Sequence, residues 1–157
     1  MAHRLRPVGL DFIETAPLRL VFAAGVSAAP DAVYRALAED IAGWPSWFTA
    51  VTMCRATKGG REVRLKGGTR FQESVVAAEP STRYAYRIDE SNTPGLRALL
   101  EEWRLTATDS GTRVQWTFAA DGPAPLLTGI RLGRSGLGRA FRDATRNLDG
   151  RIAAATA

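Results

Sequence analysis

Two glutamates fall on the apolar sides of predicted β-strands, where carboxylic acids are uncommon. Side chains alternate between the two faces of a strand, so Glu73 shares a face with Phe71. By the same alternation, Glu101 shares a face with Trp103. A carboxylate enclosed by apolar side chains is costly unless it is paired or neutral, and burial raises its pKa. These two acids could therefore orient a ligand or transfer protons.

Further polar groups are expected on the same side of the sheet. Tyr84 and Tyr86 share one face of their strand and carry hydroxyls there. Arg55 also reaches this side if Met53 belongs to the inward set of its strand. Neither glutamate has a histidine partner, because the chain's one histidine is His3. Two interpretations follow: a ligand cavity lined by aromatic side chains with a few polar anchors, or a packed core whose glutamates reach water near strand ends.

The sequence contains no pattern typical of a metal or nucleotide site. Its single cysteine, Cys54, and its single histidine do not make a zinc site. The Lys-Gly-Gly segments at Lys58 and Lys66 lack the spacing of a phosphate-binding loop. The glycines within residues 133–138 do not follow a strand of a βαβ unit, as the dinucleotide fingerprint requires. We therefore expect no metal and no cofactor.

Composition indicates one ordinary domain. The chain has 157 residues, of which 45% are hydrophobic, and no apolar run approaches the roughly 20 residues of a membrane span. The net charge is +5, but the 21 basic residues are spread over the whole chain and 19 of them are arginine. Spread charge of this kind is typical of a solvated surface and does not predict nucleic-acid binding. With one cysteine and no signal-peptide pattern, we expect a cytoplasmic monomer or homodimer.

The first part of the chain leads from a strand into a helix and an aromatic turn. Residues 1–16 lack periodicity and are predicted to be a loose lead-in to a single domain over residues 17–157. A first strand over residues 18–26 precedes Pro30, which suits the first position of a helix. After this helix, Pro45 can start a second short one.

Three large aromatic side chains follow the first helix within five residues. Trp44, Trp47 and Phe48 have no strand face of their own to join, so we expect them at one end of a cavity as a rim or lid. From residue 50 onward, strands alternate with short turns, which predicts an antiparallel meander. The predicted strands cover residues 50–57, 62–65, 69–78, 83–89, 96–108 and 112–120.

The remaining residues predict a long C-terminal helix that covers the apolar side of the sheet and leaves the arginine-bearing side in water. The apolar face of this helix includes Ile130, Leu137 and Phe141. Four glycines between positions 129 and 138 weaken its first half, each by about 0.5–1 kcal/mol relative to alanine. The firm helix is therefore predicted to start near Arg139, with a bent or mobile first half that could act as a gate.

Three segments together carry a resemblance to a known superfamily. VSAAPDAVYRALAEDIAGWPSWF near the start is followed by GTRFQESVVAAEPSTRYAYR, and GTRVQWTF precedes the last helix. This arrangement over residues 18–152 resembles the START-related (SRPBCC) superfamily and, within it, the bacterial polyketide cyclase/dehydrase-like proteins. The resemblance implies an α+β helix-grip fold: a curved antiparallel sheet of about six or seven strands wrapped around a long C-terminal helix, with two short helices after the first strand. It carries over no catalytic residue.

The resemblance also implies a hydrophobic cavity between sheet and helix. The primary hypothesis is therefore binding of a small polyketide-, lipid- or aromatic-type ligand, oriented by Glu73 and Glu101. One alternative is a polyketide cyclase or aromatase-dehydratase that uses a cavity carboxylate or tyrosine. Another is a non-catalytic regulatory or toxin–antitoxin-type protein that uses the arginine-bearing face. The residues predicted to line the cavity are Trp44, Trp47, Phe48, Phe71, Glu73, Tyr84, Tyr86, Glu101, Trp103, Trp116, Ile130, Leu137 and Phe141.

Overall fold

Seven long strands form one curved antiparallel sheet, and the C-terminal helix lies against its inner face. The computed structural model describes residues 1–156. This architecture confirms the predicted α+β helix-grip fold, with a two-residue strand added to the seven. In chain order the elements are β1 (His3–Arg4), α1 (Phe12–Thr15), β2 (Leu18–Val26), α2 (Pro30–Ala38), a 3₁₀ helix (Ile41–Ser46), β3 (Val51–Thr57), β4 (Gly60–Leu65), β5 (Arg70–Glu79), β6 (Arg83–Ser91), β7 (Ala98–Thr108), β8 (Gly111–Asp121), α3 (Ala124–Leu132) and α4 (Arg134–Thr156).

The order of the strands follows the chain with one exception. Across the sheet the order is β2-β8-β7-β6-β5-β4-β3, so β3 to β8 form the predicted meander and β2 pairs with the last strand. Gly60 lets β4 begin close to β5, because a Cβ at this position would lie 1.7 Å from the carbonyl oxygen of Glu73. This close approach places Arg61 directly opposite Glu73 in the register of the two strands.

The main core lies between the inner face of the sheet and the helices α2 and α4. Leu20 from β2, Val33 from α2 and Leu148 from α4 are each at most 4% exposed and belong to one continuous hydrophobic cluster. Phe141 adds a large buried ring from the same side of α4. The apolar stripe predicted for the C-terminal helix therefore faces the sheet.

The C-terminal helical segment is divided in two at Gly133, and its long helix begins earlier than expected. Gly133 ends α3, and α4 starts at Arg134 rather than near Arg139. Glycines inside α4 do not prevent helix formation, because packing compensates for their weak propensity. At Gly138, a Cβ would lie only 3.2 Å from the ring of Phe22, so glycine permits close packing there. Within residues 1–156, no helix is both long enough and apolar enough to cross a membrane.

The outer face of the sheet is partly covered, which corrects the expectation that it lies wholly in water. Phe12 and Ile13 of α1 pack against Ala98, Leu100 and Ala119 to form a second hydrophobic cluster. Each of these five side chains is at most 6% exposed. The sequence did not reveal this cluster, because short apolar side chains on the outer face carry little signal of their own.

Residues 1–16 are tied to the sheet, so the prediction of a loose lead-in is wrong. His3 pairs with Ser91 in the short ladder between β1 and β6. The N–H of Leu5 donates to the carbonyl of Asp89 at 2.8 Å, and the Leu5 side chain is buried. These contacts escaped the periodicity argument because a two-residue strand has no period. The start of the domain at residue 17 stays a prediction.

Candidate functional site

A cavity of about 370 Å³ lies between the inner face of the sheet and the α3–α4 corner. This volume falls in the range of small-molecule sites, about 300–1,000 Å³. Among its lining residues, four bring polar side chains, Arg61, Glu73, Tyr86 and Glu101, which we call the polar cluster. The full lining comprises Trp44, Phe48, Ala50, Val51, Arg61, Val63, Leu65, Phe71, Glu73, Tyr86, Glu101, Trp116, Phe118, Ile130, Gly133, Leu137 and Ala140.

The aromatic turn after α2 supplies part of the buried wall. The indole N–H of Trp44 donates to the carbonyl of Leu37 at 3.0 Å, which ties the 3₁₀ helix to the end of α2. Trp44 and Phe48 both line the cavity, yet they are only 2% and 8% exposed. Trp47 packs beside Trp44 with ring centroids 4.5 Å apart and does not reach the cavity. The turn is therefore an interior wall, and the expected rim or lid position is wrong.

Glu101 is held by neutral hydrogen-bond donors. Its Oε1 accepts a hydrogen bond from the Tyr86 hydroxyl at 2.8 Å and one from the Trp116 indole N–H at 3.0 Å. The Tyr86 hydroxyl in turn accepts from the Trp103 indole N–H at 3.2 Å. Burial raises the pKa of Glu101, and the hydrogen bond from Tyr86 and the charge of nearby Arg61 offset this rise only in part.

Arg61 and Glu73 form an ion pair inside the protein. Nε of Arg61 donates to Oε1 of Glu73, and both side chains are 2% exposed. The guanidinium lies 4.1 Å from the ring centroids of both Trp44 and Tyr86, a cation–π arrangement that favours a buried arginine. Its Nη1 lies 3.7 Å from Sγ of Cys54. Glu73 therefore balances the charge of the guanidinium, and aromatic rings cover its flat faces.

The polar cluster contains one cation and two carboxyls. Burial raises the pKa of Glu73 to about 7, with Arg61 opposing the rise and Glu101 adding to it. Burial also raises the pKa of Tyr86 well above its ordinary value, so its hydroxyl keeps the proton that it donates to Glu101. Because a single carboxylate balances Arg61, the second carboxyl is favoured in its neutral form near neutral pH.

Arg61 is the charged lining residue that the sequence did not indicate. The predicted strand started one residue after it, so strand alternation was not applied to it. Arg55, expected on the inner side if Met53 faced inward, points outward and is exposed. A β-bulge between Val51 and Met53 shifts the alternation in β3, so Cys54 is the buried residue there. Extending the alternation toward the N-terminus of β4 would have found Arg61.

The structure brings most of the predicted site residues to the cavity wall. Four of the predicted residues lie behind the wall instead, namely Trp47, Tyr84, Trp103 and Phe141, each at most 2% exposed. Alternation predicts the face of a strand but not the depth of a side chain, which accounts for Tyr84 and Trp103. Trp47 follows the 3₁₀ helix and Phe141 lies in α4, so alternation did not place them. Those on the wall are Trp44, Phe48, Phe71, Glu73, Tyr86, Glu101, Trp116, Ile130 and Leu137.

A metal site is not among the features of the described chain. Residues 1–156 contain no group of three or more His, Cys, Asp or Glu side chains that could hold a metal ion. Cys54 is buried and burial raises its pKa to about 11, so it is a thiol at neutral pH and not a thiolate ligand. The chemistry available to the cavity from these residues is hydrogen bonding, charge and proton transfer.

Comparison with known proteins identifies relatives over almost the whole chain. The family profile described as "Polyketide cyclase / dehydrase and lipid transport" matches residues 19–153. Uncharacterized proteins of Mycobacterium tuberculosis strain H37Rv and Mycobacterium bovis are each 33% identical over 159 residues. The match covers 94% of this chain and 95% of each relative.

Solved structures share the same fold at low sequence identity. A START superfamily protein from Mycobacterium smegmatis has a TM-score of 0.64 and 11% identity, covering 85% of this chain and 96% of its own. A protein from Rhodobacter sphaeroides has a TM-score of 0.68 and 21% identity, covering 87% and 92%. Zhui aromatase/cyclase from Streptomyces sp. R1128 has a TM-score of 0.66 and 16% identity, covering 86% and 93%.

Proposed function

Because this chain belongs to the polyketide cyclase/dehydrase and lipid transport family, we propose that it binds a small hydrophobic molecule of the polyketide, lipid or aromatic type in its internal cavity. One observation carries the proposal: the cavity wall is apolar except at the four side chains of the polar cluster. Protein interiors rarely leave voids much larger than a water molecule. A void of about 370 Å³ with such a wall suits an apolar ligand that has one polar end.

The polar cluster supports binding because it can orient the ligand. Its members bond to one another and to the aromatic wall, so they are positioned before a ligand arrives. Preorganised groups lose little conformational entropy on binding. An apolar body would contact the rings of Phe48 and Trp116, while its polar end would face Glu101.

Native mass spectrometry of freshly purified protein tests the proposal. We expect a fraction of the protein to carry a co-purified mass, and extraction into organic solvent to release a hydrophobic compound of that mass. If the protein is purified without a bound ligand, it can be titrated with a panel of aromatic polyketides and fatty alcohols while tryptophan fluorescence reports binding. Absence of both a retained mass and any response to the panel would contradict the proposal.

A pair of alanine substitutions on α4 separates cavity binding from surface binding. Ala140 lines the cavity, whereas Ala153 is exposed on the same helix. We expect Ala140→Phe to fill the cavity and weaken binding, because the added ring occupies ligand space. Ala153→Phe is the matched control and should bind like the wild type. Equal weakening by both variants would show that the ligand does not occupy this cavity.

An acid–base enzyme is the second candidate, and the carboxyl of Glu73 favours it. A buried carboxyl whose pKa is raised to about 7 can both accept and donate protons near neutral pH. Aldol closure of a poly-β-keto chain needs a base beside a carbonyl and an acid at the departing hydroxyl, with loss of one water. Incubation with a synthetic poly-β-ketone, followed by mass spectrometry, would detect a product lighter by one water. Binding without such a product would reject the enzyme and leave the binding function intact.

The regulatory or toxin–antitoxin-type alternative gains no support from the outer face of the sheet. Arg83 and Arg104 both pair with Glu102 there. Arg87 pairs with Asp89 on the same face. These pairs neutralise much of the positive charge that an anionic partner would need. The cytoplasmic location and the monomeric or homodimeric state stay predictions.

A further inference from the structure

The charges around the cavity point to the class of ligand, an inference that rests on the proposed binding function. We propose that the ligand is an uncharged or basic molecule that donates a hydrogen bond from a hydroxyl or amine to Glu101, and that organic acids are excluded. The ligand class is therefore an aromatic or alicyclic alcohol or amine that fits a cavity of about 370 Å³.

The positive charge in the cavity is already balanced. Arg61 is the one cationic side chain among the lining residues, and its Nε is paired with Glu73. The rings of Trp44 and Tyr86 cover the guanidinium. Its Nη2 could donate to a carbonyl of a neutral ligand, but the charge of Arg61 is not free to balance a second anion. A ligand carboxylate would therefore add an unbalanced negative charge inside the protein, which is strongly unfavourable.

The free hydrogen-bonding capacity of the cavity includes an acceptor at Glu101. The Tyr86 hydroxyl donates its one hydrogen bond to Glu101 and accepts a hydrogen bond from the indole N–H of Trp103. Oε1 of Glu101 already accepts two hydrogen bonds. No donor within residues 1–156 bonds to Oε2 of Glu101, so this oxygen remains for a ligand. An ammonium would bond to it and supply the missing positive charge, and a hydroxyl would bond to either protonation state.

The rest of the wall favours a rigid ring system over a flexible chain. Phe48 and Trp116 line the cavity with ring centroids 5.9 Å apart in an edge-to-face arrangement. Phe118 meets Trp116 in the same way at 6.2 Å. Flat aromatic bodies pack against such rings and lose little rotational freedom on binding. A naphthalene body with a single polar substituent is therefore a suitable probe.

Isothermal titration calorimetry with three matched probes tests the proposal. The probes are 2-naphthylmethanol, 2-naphthylmethylamine and 2-naphthoic acid, which share one ring system and differ in the polar group. We expect the alcohol and the amine to bind at least about tenfold more tightly than the acid, since burial of an unpaired charge is strongly unfavourable. Binding of the acid as tight as that of the alcohol would overturn the ligand class but leave the binding function standing. Absence of binding by all three would instead contradict the proposed function itself.

Substitution of the two adjacent glutamates of β7 assigns the selectivity to one carboxyl. Glu101→Gln keeps the shape of the side chain and removes its capacity to carry a negative charge. We expect this variant to bind the amine at least about threefold more weakly than the wild type does, and still to exclude the acid, because Arg61 remains paired with Glu73. Glu102→Gln is the matched control, because Glu102 faces the other side of the sheet, and its selectivity should match the wild type. Unchanged selectivity in Glu101→Gln, with wild-type near-UV circular dichroism, would overturn the assignment.

Discussion

Glu101 and Glu102 are neighbours on β7 and almost equally hidden, at 7% and 2% exposed, but they lie in opposite electrostatic environments. Glu102 faces outward and pairs with Arg83 at 3.3 Å and Arg104 at 3.1 Å. Glu101 faces the cavity and accepts hydrogen bonds from neutral donors alone. Strand alternation thus separates two chemically identical residues by the thickness of one sheet.

The two carboxyls differ in the groups that surround them. Glu102 is paired with two arginines, and both of these arginines reach water. On the inner side, one arginine serves two buried carboxyls beside the cavity. The inner side therefore leaves one carboxyl without an ionic partner, whereas the outer Glu102 is paired with two arginines. The predictions below test this contrast between the two sides of the sheet.

The largest expected effect comes from removing the buried cation. Arg61→Ala leaves Glu73 unpaired in the interior and should lower the free energy of unfolding by about 3–5 kcal/mol. Arg104→Ala is the outer-face control. The Arg104 side chain is 56% exposed, so we expect the free energy of unfolding to fall by only about 0–1 kcal/mol. Urea unfolding at pH 7.5, followed by tryptophan fluorescence, measures both.

A double substitution separates charge from packing at this pair. Replacing both partners, Arg61→Met with Glu73→Leu, should recover more than half of the stability lost in Arg61→Ala, because no unpaired charge remains. Equal losses in Arg61→Ala and Arg104→Ala would contradict the contrast between the two sides of the sheet.

The second prediction concerns pH. The pKa of Glu73 is about 7 in the folded protein, against an ordinary value of 4.5, so the folded state binds more protons than the unfolded state between these values. Stability from this group is fully present below about pH 4.5 and is lost as the pH rises through 7. The total change is on the order of 3 kcal/mol. Urea unfolding at pH 5.0 and pH 8.0 should therefore show the lower stability at pH 8.0.

A carboxylate on the outer face contributes to stability with the opposite dependence on pH. Arg55 lowers the pKa of Glu62, so its contribution is present above the ordinary pKa and is lost only in more acidic solution. The interval from pH 5 to pH 8 thus isolates the buried carboxyls. Glu101→Gln should reduce the dependence on pH there, because the pKa of Glu101 is raised as well. Stability that rises between pH 5 and pH 8 would show that the buried carboxyls are ionised throughout.

Strand alternation accounts for what the sequence revealed about this contrast. It placed Glu73, Tyr86 and Glu101 on the inner side, and all three line the cavity. It failed where alternation was interrupted, as at the bulge in β3, and where a strand began earlier than its apolar pattern, as at Arg61. It also did not separate wall from core, since the depth of Trp103 depends on which rings pack in front of it. The depth of a side chain is determined by tertiary packing, which the pattern of a single strand does not describe.

The third prediction tests the hydrogen bonds that hold Glu101. Tyr86→Phe removes the hydroxyl that donates to Glu101 and accepts from Trp103. We expect the free energy of unfolding to fall by about 1–2 kcal/mol, because two buried polar groups lose a hydrogen-bond partner. Tyr34→Phe is the control, since the Tyr34 ring is buried but its hydroxyl bonds to no group within residues 1–156. Chemical denaturation should show a loss below about 0.5 kcal/mol for the control, and similar losses in both variants would dismiss a special role for the network.

The smallest expected effect concerns the corner that closes the inner side of the sheet, a closure that the outer side lacks. Gly136 lies in the first turn of α4, where an added Cβ would meet no atom within 4 Å. Gly136→Ala should therefore raise the free energy of unfolding by about 0.5–1 kcal/mol, because alanine is the better helix former. Gly150→Ala is a matched control, since Gly150 lies far along α4 and is equally open.

Hydrogen exchange distinguishes a general gain in stability from a stiffer corner. Both alanine variants should gain similar stability, but Gly136→Ala alone should slow amide exchange over residues 129–138, because local opening there must break a stronger first turn. Mass spectrometry of peptic fragments measures this directly. If Gly150→Ala slowed the corner equally, the whole of α4 would open as one unit. In that case a ligand would enter by release of the entire helix from the sheet, and the glycines of the corner would have no separate part in access to Glu101.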